Sequence, residues 1–246
     1  MIDWALVEVI RTRGINCVID VGGNRGQFAQ RLRTLGYKGR IVSFEPSPSV
    51  LPVISAAAAR DPEWIVRPVG LSSKAGQAEL RMHEESQLNS LLDELPGVTE
   101  QIPKMERTGT ASVTLSTLAA EFPGIIDGIA DPCVLFKSDT QGHDMEVLRG
   151  AGDKGLDQAV VAVLVELVAQ QIYIGQPVMT TVMEVIANDG FTAVAFEPLF
   201  ESSDGLRMVE LDGLFMRPVV DHPDWGYAQA RRPGRGMAPI VPGNVS

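Results

Sequence analysis

A short apolar run, Cys17-Val18-Ile19-Asp20-Val21, leads straight into Gly22-Gly23-Asn24-Arg25-Gly26 and then into an amphipathic segment that begins at Gln27. Such a run reads as a strand buried on both faces. A strand, a glycine turn and a helix in that order open a parallel α/β unit, because parallel neighbours need a crossover and the crossover is right-handed. The unit then repeats. Apolar residues at 28, 29, 32 and 35 give one face of a helix from Gln27 to Leu35 that stops at Gly36. A second buried strand spans Arg40 to Glu45, the alanine-rich stretch Ser49 to Arg60 has strong helix propensity, and a third strand runs from Trp64 to Pro68.

Ahead of this pattern, Trp4, Leu6, Val7, Val9 and Ile10 form the apolar stripe of a leading helix over residues 1–14. Beyond it, Ala78 to His83 is strand-like, and residues 84–114, with a loop around 96–110, form an irregular insertion suited to shaping an acceptor site. Regular alternation resumes with a helix from Leu115 to Phe122, a strand from Cys133 to Asp139, a helix from Met145 to Arg149, a strand from Val160 to Glu166 and a helix from Val178 to Asn188. Thr192 to Phe196 and Gly213 to Arg217 read as a terminal hairpin around the turn residues Ser202 to Gly205. The expected architecture is a doubly wound, mostly parallel sheet over residues 1–217, followed by a Pro/Gly-rich tail over 218–246.

Composition narrows the function. With 31 acidic against 21 basic residues the net charge is -10, so no broad basic surface is available for phosphates and no nucleic-acid partner is expected. Two cysteines, Cys17 and Cys133, cannot staple a secreted domain and read as reduced core residues. The longest apolar run, Ala159 to Val165, is far short of the roughly 20 residues that span a bilayer. Asp3 and Glu8 interrupt the apolar start where a signal peptide needs an unbroken hydrophobic region, so a cytoplasmic protein without membrane partners is expected. A homodimer is the default assembly.

The glycine turn suits a ligand that carries a nucleoside. Gly22 permits the sharp turn, Gly26 allows backbone approach, and Asn24 lies between them. A dinucleotide fingerprint needs glycine at the third and sixth positions counted from Gly22, where Asn24 and Gln27 stand, which argues against a nicotinamide-dependent oxidoreductase. Asp20, just before the turn, suits an ammonium group; Glu45, at the end of the next strand and 25 residues on, suits the two hydroxyls of a ribose. Together they describe S-adenosylmethionine. The competing structural reading has the glycines making a tight turn and Asp20 capping the helix. A noncatalytic module binding this cofactor or a sugar would keep the turn as well.

Val18 to Phe28, Val42 to Pro46, Asn89-Ser90-Leu91, Ser112 to Ala119, Val163 to Glu166 and above all Leu135-Phe136-Lys137-Ser138-Asp139-Thr140-Gln141-Gly142 carry a specific resemblance. The chain resembles the FkbM-type branch of the class I S-adenosylmethionine-dependent methyltransferases. This implies a seven-stranded Rossmann-like sheet, methylation of a hydroxyl on a sugar or a polyketide-derived product, and cofactor contacts from Asn89, Ser90 and Asp139. Among actinobacterial relatives it points to a carbohydrate acceptor such as a methylated mannoside of a polysaccharide pathway. The chain departs from the family where His143 and Asp144 replace an apolar or aromatic residue followed by glutamate.

Methyl transfer to a hydroxyl requires removal of a weakly acidic proton, by a general base or with help from a metal. Asp139 and Glu166 end apolar strands at the edge where ligands gather in a doubly wound sheet. With His143 they form the candidate catalytic set and, as the comparison with metal-assisted catechol-type methyltransferases suggests, a candidate Mg2+ site. His143 is the expected base, ahead of His83 and His222. Gln141, His143, Glu166 and Tyr173 are the candidate acceptor contacts, with Tyr173 as an aromatic wall. The bland alternative for Glu166 is an ion pair with Lys137 or Arg149.

Overall fold

The computed structural model describes residues 2–201 and 208–218. In chain order it has α1 (Ile2–Arg13), β1 (Cys17–Val21), α2 (Gln27–Thr34), β2 (Arg40–Phe44), α3 (Leu51–Ala58), β3 (Trp64–Arg67), β4 (Gly70–Leu71) and β5 (Gly76–His83). Then come α4 (Val98–Gln101), β6 (Arg107–Ser116), α5 (Leu118–Ile126), β7 (Val134–Ser138), α6 (Asp144–Arg149), β8 (Val160–Val168), α7 (Met179–Asn188), β9 (Thr192–Glu201) and β10 (Met208–Met216).

Seven strands form one sheet in the order β3-β2-β1-β7-β8-β10-β9. All neighbours are parallel except the last two pairs, where β10 runs antiparallel to both β8 and β9. This is the expected doubly wound sheet with an antiparallel end. Because side chains alternate along a strand, the sheet splits the core in two. One face carries Ile19, Val21, Phe136, Val163 and Val165 against α5, α6 and α7. The other carries Val18, Leu135, Leu164 and Leu214 against α1, α2 and α3. Among the described residues no helix is long and apolar enough to cross a membrane, and both cysteines are free thiols.

Several local expectations are corrected. Trp4 is 73% exposed, and α1 buries Ile2, Ala5, Leu6 and Val9 instead, the spacing that places residues on one helical stripe. Leu115 and Ser116 end a strand: the alternation through Ser112-Val113-Thr114 has period two, and α5 starts only after Thr117, whose hydroxyl accepts from the Ala120 N–H (3.2 Å). The loop placed at 96–110 contains α4 and the start of β6. That strand pairs with β4 and β5 in a separate three-stranded sheet, unforeseen in the sequence, whose strands fall within residues 70–116. Its loops share a small core of Val98, Met105, Ile172, Tyr173 and Val209. The expected turn residues Ser202 to Gly205 and the tail beyond 218 lie outside the described residues.

Candidate active site

At the carboxyl ends of β1, β2, β7 and β8, and the adjoining start of β10, lies a cavity of about 590 Å3. One end is built on the glycine turn. Gly22 has φ +76°, and a Cβ there would sit 1.9 Å from the Asp139 carbonyl oxygen, so only glycine lets β1 turn this close to the end of β7. The N–H groups of Gly22 and Gly23 both donate to the Phe44 carbonyl (3.0 Å each), tying the turn to β2. Asn24 follows in the left-handed region (φ 45°); its N–H donates to Glu45 Oε2 (2.7 Å), while the Ser47 N–H donates to Glu45 Oε1 (2.7 Å). Glu45 is thus fixed against the cavity wall with one lone pair on each oxygen already committed. Burial pushes its carboxyl up and the two N–H donors oppose that.

Asp20 and Gly26 lie elsewhere. Asp20 is fully buried and does not line the cavity. Its Oδ2 accepts from Ser43 Oγ (2.8 Å) and its Oδ1 stands 3.2 Å from Lys137 Nζ. Lys137 also donates to the carbonyls of Val21 (3.2 Å) and Gly22 (3.1 Å). Burial opposes the charge of Lys137, yet the carboxylates of Asp20 and Asp139 raise its pKa above the usual lysine range. The expected contact of Asp20 with an ammonium is therefore corrected: paired strands bring it opposite Lys137, and the pair braces the turn from below. Gly26 is left-handed too (φ +86°), but a Cβ there would meet the Trp64 ring at 2.5 Å, so it serves packing and not ligand approach.

At the other end, Asp139, Gln141, His143 and Glu166 line the cavity together. Gln141 Nε2 donates to both oxygens of Glu166 (3.2 and 3.0 Å) and to Asp139 Oδ1 (3.3 Å). Glu166 is buried, and desolvation together with Asp139, Glu210, Asp144 and Asp212 pushes its carboxyl well up. It pairs with neither Lys137 nor Arg149; Arg149 engages Glu146. His143 Nε2 lies 2.9 Å from Ser72 Oγ, at the end of β4, and burial holds the imidazole below its ordinary value. Asp144 turns away from the cavity: its Oδ1 accepts from Ser138 Oγ and from the Thr140 N–H, shaping the loop that carries His143.

The insertion supplies Asn89, which lines the cavity and whose Oδ1 accepts from the His83 N–H (2.9 Å). Ser90 and Tyr173 do not line it. Ser90 is buried and donates to the Gln141 carbonyl (2.7 Å); the Tyr173 hydroxyl reaches Leu88 O (2.7 Å) and Gln141 Oε1 (3.2 Å) from a wholly enclosed ring. Both hold Gln141 from behind, because the small core of the insertion claims Tyr173. His83 is engaged with Glu94 within the insertion, and His222 lies outside the described residues.

Asp139, Glu166 and His143 do not fit a metal. The Gln141 amide bridges Glu166 and Asp139, His143 Nε2 turns to Ser72, and among the described residues no group of three His, Cys, Asp or Glu side chains is arranged to hold an ion. The expected Mg2+ site is corrected accordingly. Two further acids line the cavity that sequence reasoning missed, Glu210 and Asp212. Their signal is the alternation Val209-Glu210-Leu211-Asp212 at the start of an otherwise apolar strand. Only the antiparallel direction of β10, which places Asp212 opposite Glu166, brings that start to the carboxyl ends of its neighbours.

A family model described as methyltransferase FkbM domain matches residues 20–193. No curated protein matches the chain. Similar solved structures include magnesium protoporphyrin IX methyltransferase from Synechocystis PCC 6803 with bound SAM (10% identity, 88% of this chain and 78% of that one, TM-score 0.46). Another is precorrin-6y C5,15-methyltransferase from Geobacter metallireducens GS-15 (12% identity, 87% and 86%, TM-score 0.43). A third is a fibrillarin/Nop5p complex (12% identity, 87% and 80%, TM-score 0.47).

Proposed function

The chain belongs to the FkbM methyltransferase domain family, and from that premise we propose that it transfers a methyl group from S-adenosylmethionine to a hydroxyl of a carbohydrate. The observation that carries this reading is a single cavity with two unlike ends, Glu45 on the glycine turn at one and His143 with Asp139 and Glu166 at the other. Glu45, Asn24 and Gly22 hold the cofactor. The two remaining lone pairs of Glu45 accept from vicinal hydroxyls without reorganisation, since two backbone N–H groups have already set the carboxylate. Asn89 adds a polar wall from the insertion.

When bound, S-adenosylmethionine supplies an electrophilic methyl on a cationic sulfur, so that an oxygen–carbon bond replaces the carbon–sulfur bond and the sulfur keeps the electron pair. His143 takes the hydroxyl proton. Its lowered pKa leaves the ring neutral near pH 7, and with Nε2–H donating to Ser72 Oγ the other nitrogen keeps its lone pair. Gln141 steers Glu166 and Asp139 as acceptors for the neighbouring sugar hydroxyls. Neither an oxidoreductase nor a noncatalytic module is favoured for a chain of this family.

Isothermal titration with S-adenosylhomocysteine tests the cofactor end. Stoichiometric binding is expected, and Glu45→Ala is expected to weaken it about 10- to 100-fold, the range of hydrogen bonds to a charged group. Absence of binding by folded protein overturns the reading. His143→Ala tests the base: S-adenosylhomocysteine affinity stays, while turnover on a methylated sugar acceptor falls by about 10²–10⁴. Normal turnover at saturation would remove His143 from the role.

A further inference from the structure

Glu210 and Asp212 have no part in the proposed reaction, yet they complete a row of carboxylates with Asp139 and Glu166 along the β7–β8–β10 end of the cavity. The cations lining the same cavity are already committed. Arg31 Nε lies 2.6 Å from Asp3 Oδ1, Lys104 Nζ lies 3.8 Å from Glu85 Oε2, and Lys137 is held by Asp20 (3.2 Å) and Asp139 (3.6 Å). Among the described residues, none pairs as a cation with Glu166, Glu210 or Asp212.

A second observation separates this end from a merely acidic surface. Glu210 lines the cavity yet is only 9% exposed, and its Oε1, itself closed off from solvent, has no hydrogen-bond partner among the described residues. Buried carboxylate oxygens are almost always satisfied, so an unsatisfied one in a side chain of the cavity wall calls for a donor, which a turn of the Glu210 carboxylate brings within reach. Neutral sugar hydroxyls can supply single donors, but they do nothing for the mutual repulsion of the row. An ammonium brings three donors and the missing charge. Glu210, pushed up to about 7, and Asp212, pushed up to about 6, are both raised by burial first and by Asp139 next, and at Asp212 the charges of Lys137 and Arg31 oppose only part of that rise.

We propose that the acceptor is an amino sugar, whose protonated amine is anchored by Glu166, Glu210 and Asp212 while a hydroxyl on the same ring meets the methyl donor. The assignment deepens the methyl-transfer reading and rests on it for the hydroxyl. A protonated amine has no lone pair, so it anchors the ring and does not itself attack. Geometry sets the division of the cavity: from β2 to β10 the sheet crosses four strand spacings, about 19 Å, room for a cofactor against β2, β1 and β7 and for a sugar ring against β8 and β10.

The test is calorimetry on the full chain at pH 7 and low salt, with and without S-adenosylhomocysteine. The probes are paired: glucosamine with glucose, galactosamine with galactose, mannosamine with mannose, and the chitosan disaccharide with cellobiose. At least one amino member is expected to bind about 10-fold or more tightly than its neutral partner. Glu210→Gln and Asp212→Asn are each expected to cut that preference to about 2-fold or less, with S-adenosylhomocysteine affinity retained as the measure of an intact fold. Equal affinity within every pair, no binding of any amino sugar, or a preference that survives both substitutions overturns the proposal. Retained amine preference in a protein that ignores S-adenosylhomocysteine upholds the cation site and overturns the methyl-transfer reading, so the two fail separately.

Discussion

At the β1–β2 end of the cavity both oxygens of Glu45 accept a backbone N–H, and beneath it the buried Asp20 accepts from the Ser43 hydroxyl through Oδ2 while its Oδ1, without a hydrogen bond, is balanced by the Lys137 ammonium 3.2 Å away. At the β8–β10 end, carboxylates stand against carboxylates, and Glu210 keeps an oxygen without a partner among the described residues. Both ends sit on the same face of the same sheet, which is apolar at Val18, Leu135 and Leu214 and becomes charged toward the cavity. The difference separates a recess shaped before its ligand arrives from one whose electrostatics a ligand completes. Preorganisation lowers the cost of binding; an unbalanced row of charge selects what binds.

The most severe way to break the ordered end is Gly22→Ala. A methyl group 1.9 Å from the Asp139 carbonyl cannot be relieved by a rotamer change, because the obstacle is backbone on the neighbouring strand. A loss of at least about 4 kcal/mol in urea unfolding is expected, in the range reserved for forced clashes and strain. Gly36→Ala is the control: it shares a left-handed φ (+94°) but has open space around it, so about 1–2 kcal/mol is expected. Similar losses at the two glycines would show that backbone conformation alone governs the turn.

Next in size is Lys137→Met, which removes the ammonium and leaves the Asp20 carboxylate enclosed without its cation. Breaking a buried pair from one side costs about 3–5 kcal/mol. The double substitution Asp20→Asn with Lys137→Met is expected to recover a large part of that loss, since no stranded charge remains. If the single and double variants are equally unstable, the brace works through packing and not through charge.

The alternation of apolar runs and amphipathic segments carried most of the fold, because a parallel sheet buried on both faces leaves a strong mark in β1, β2, β7 and β8. The side sheet left a weaker one: β6 alternates with many exposed residues, and its partners β4 and β5 lie up to 46 residues away, from Gly70 to Ser116. Residues at the site divide in the same way. Glu45, Asp139, His143 and Glu166 stand at or just past ends of parallel strands, where one rule locates them. Asp20, Gly26, Ser90 and Tyr173 have the same chemistry in sequence, but which side of a wall each takes depends on Lys137, Trp64, Gln141 and the insertion core. Glu210 and Asp212 needed the direction of β10, which no local pattern states.

The smallest effect probes the unbalanced end through its own titration. Glu210, raised to about 7, binds more protons in the folded chain than in the unfolded one, so the stability it contributes is present below its unfolded value near 4.5 and is lost as pH rises through 7. His143, held below 6.5, acts in the opposite sense, favouring the folded state above 6.5 and opposing it in acid. Comparing wild type with Glu210→Gln at each pH isolates the carboxylate from that opposing group. Between pH 5 and 8 the wild type is expected to lose about 2–4 °C more in Tm than the variant, the shift that about 1 kcal/mol produces in a chain of this size. An amino sugar held by Glu210 should shrink the difference, because a bound cation keeps the carboxylate ionised without penalty. Parallel pH profiles for the two proteins would place the Glu210 oxygen in solvent contact and remove the contrast between the two ends.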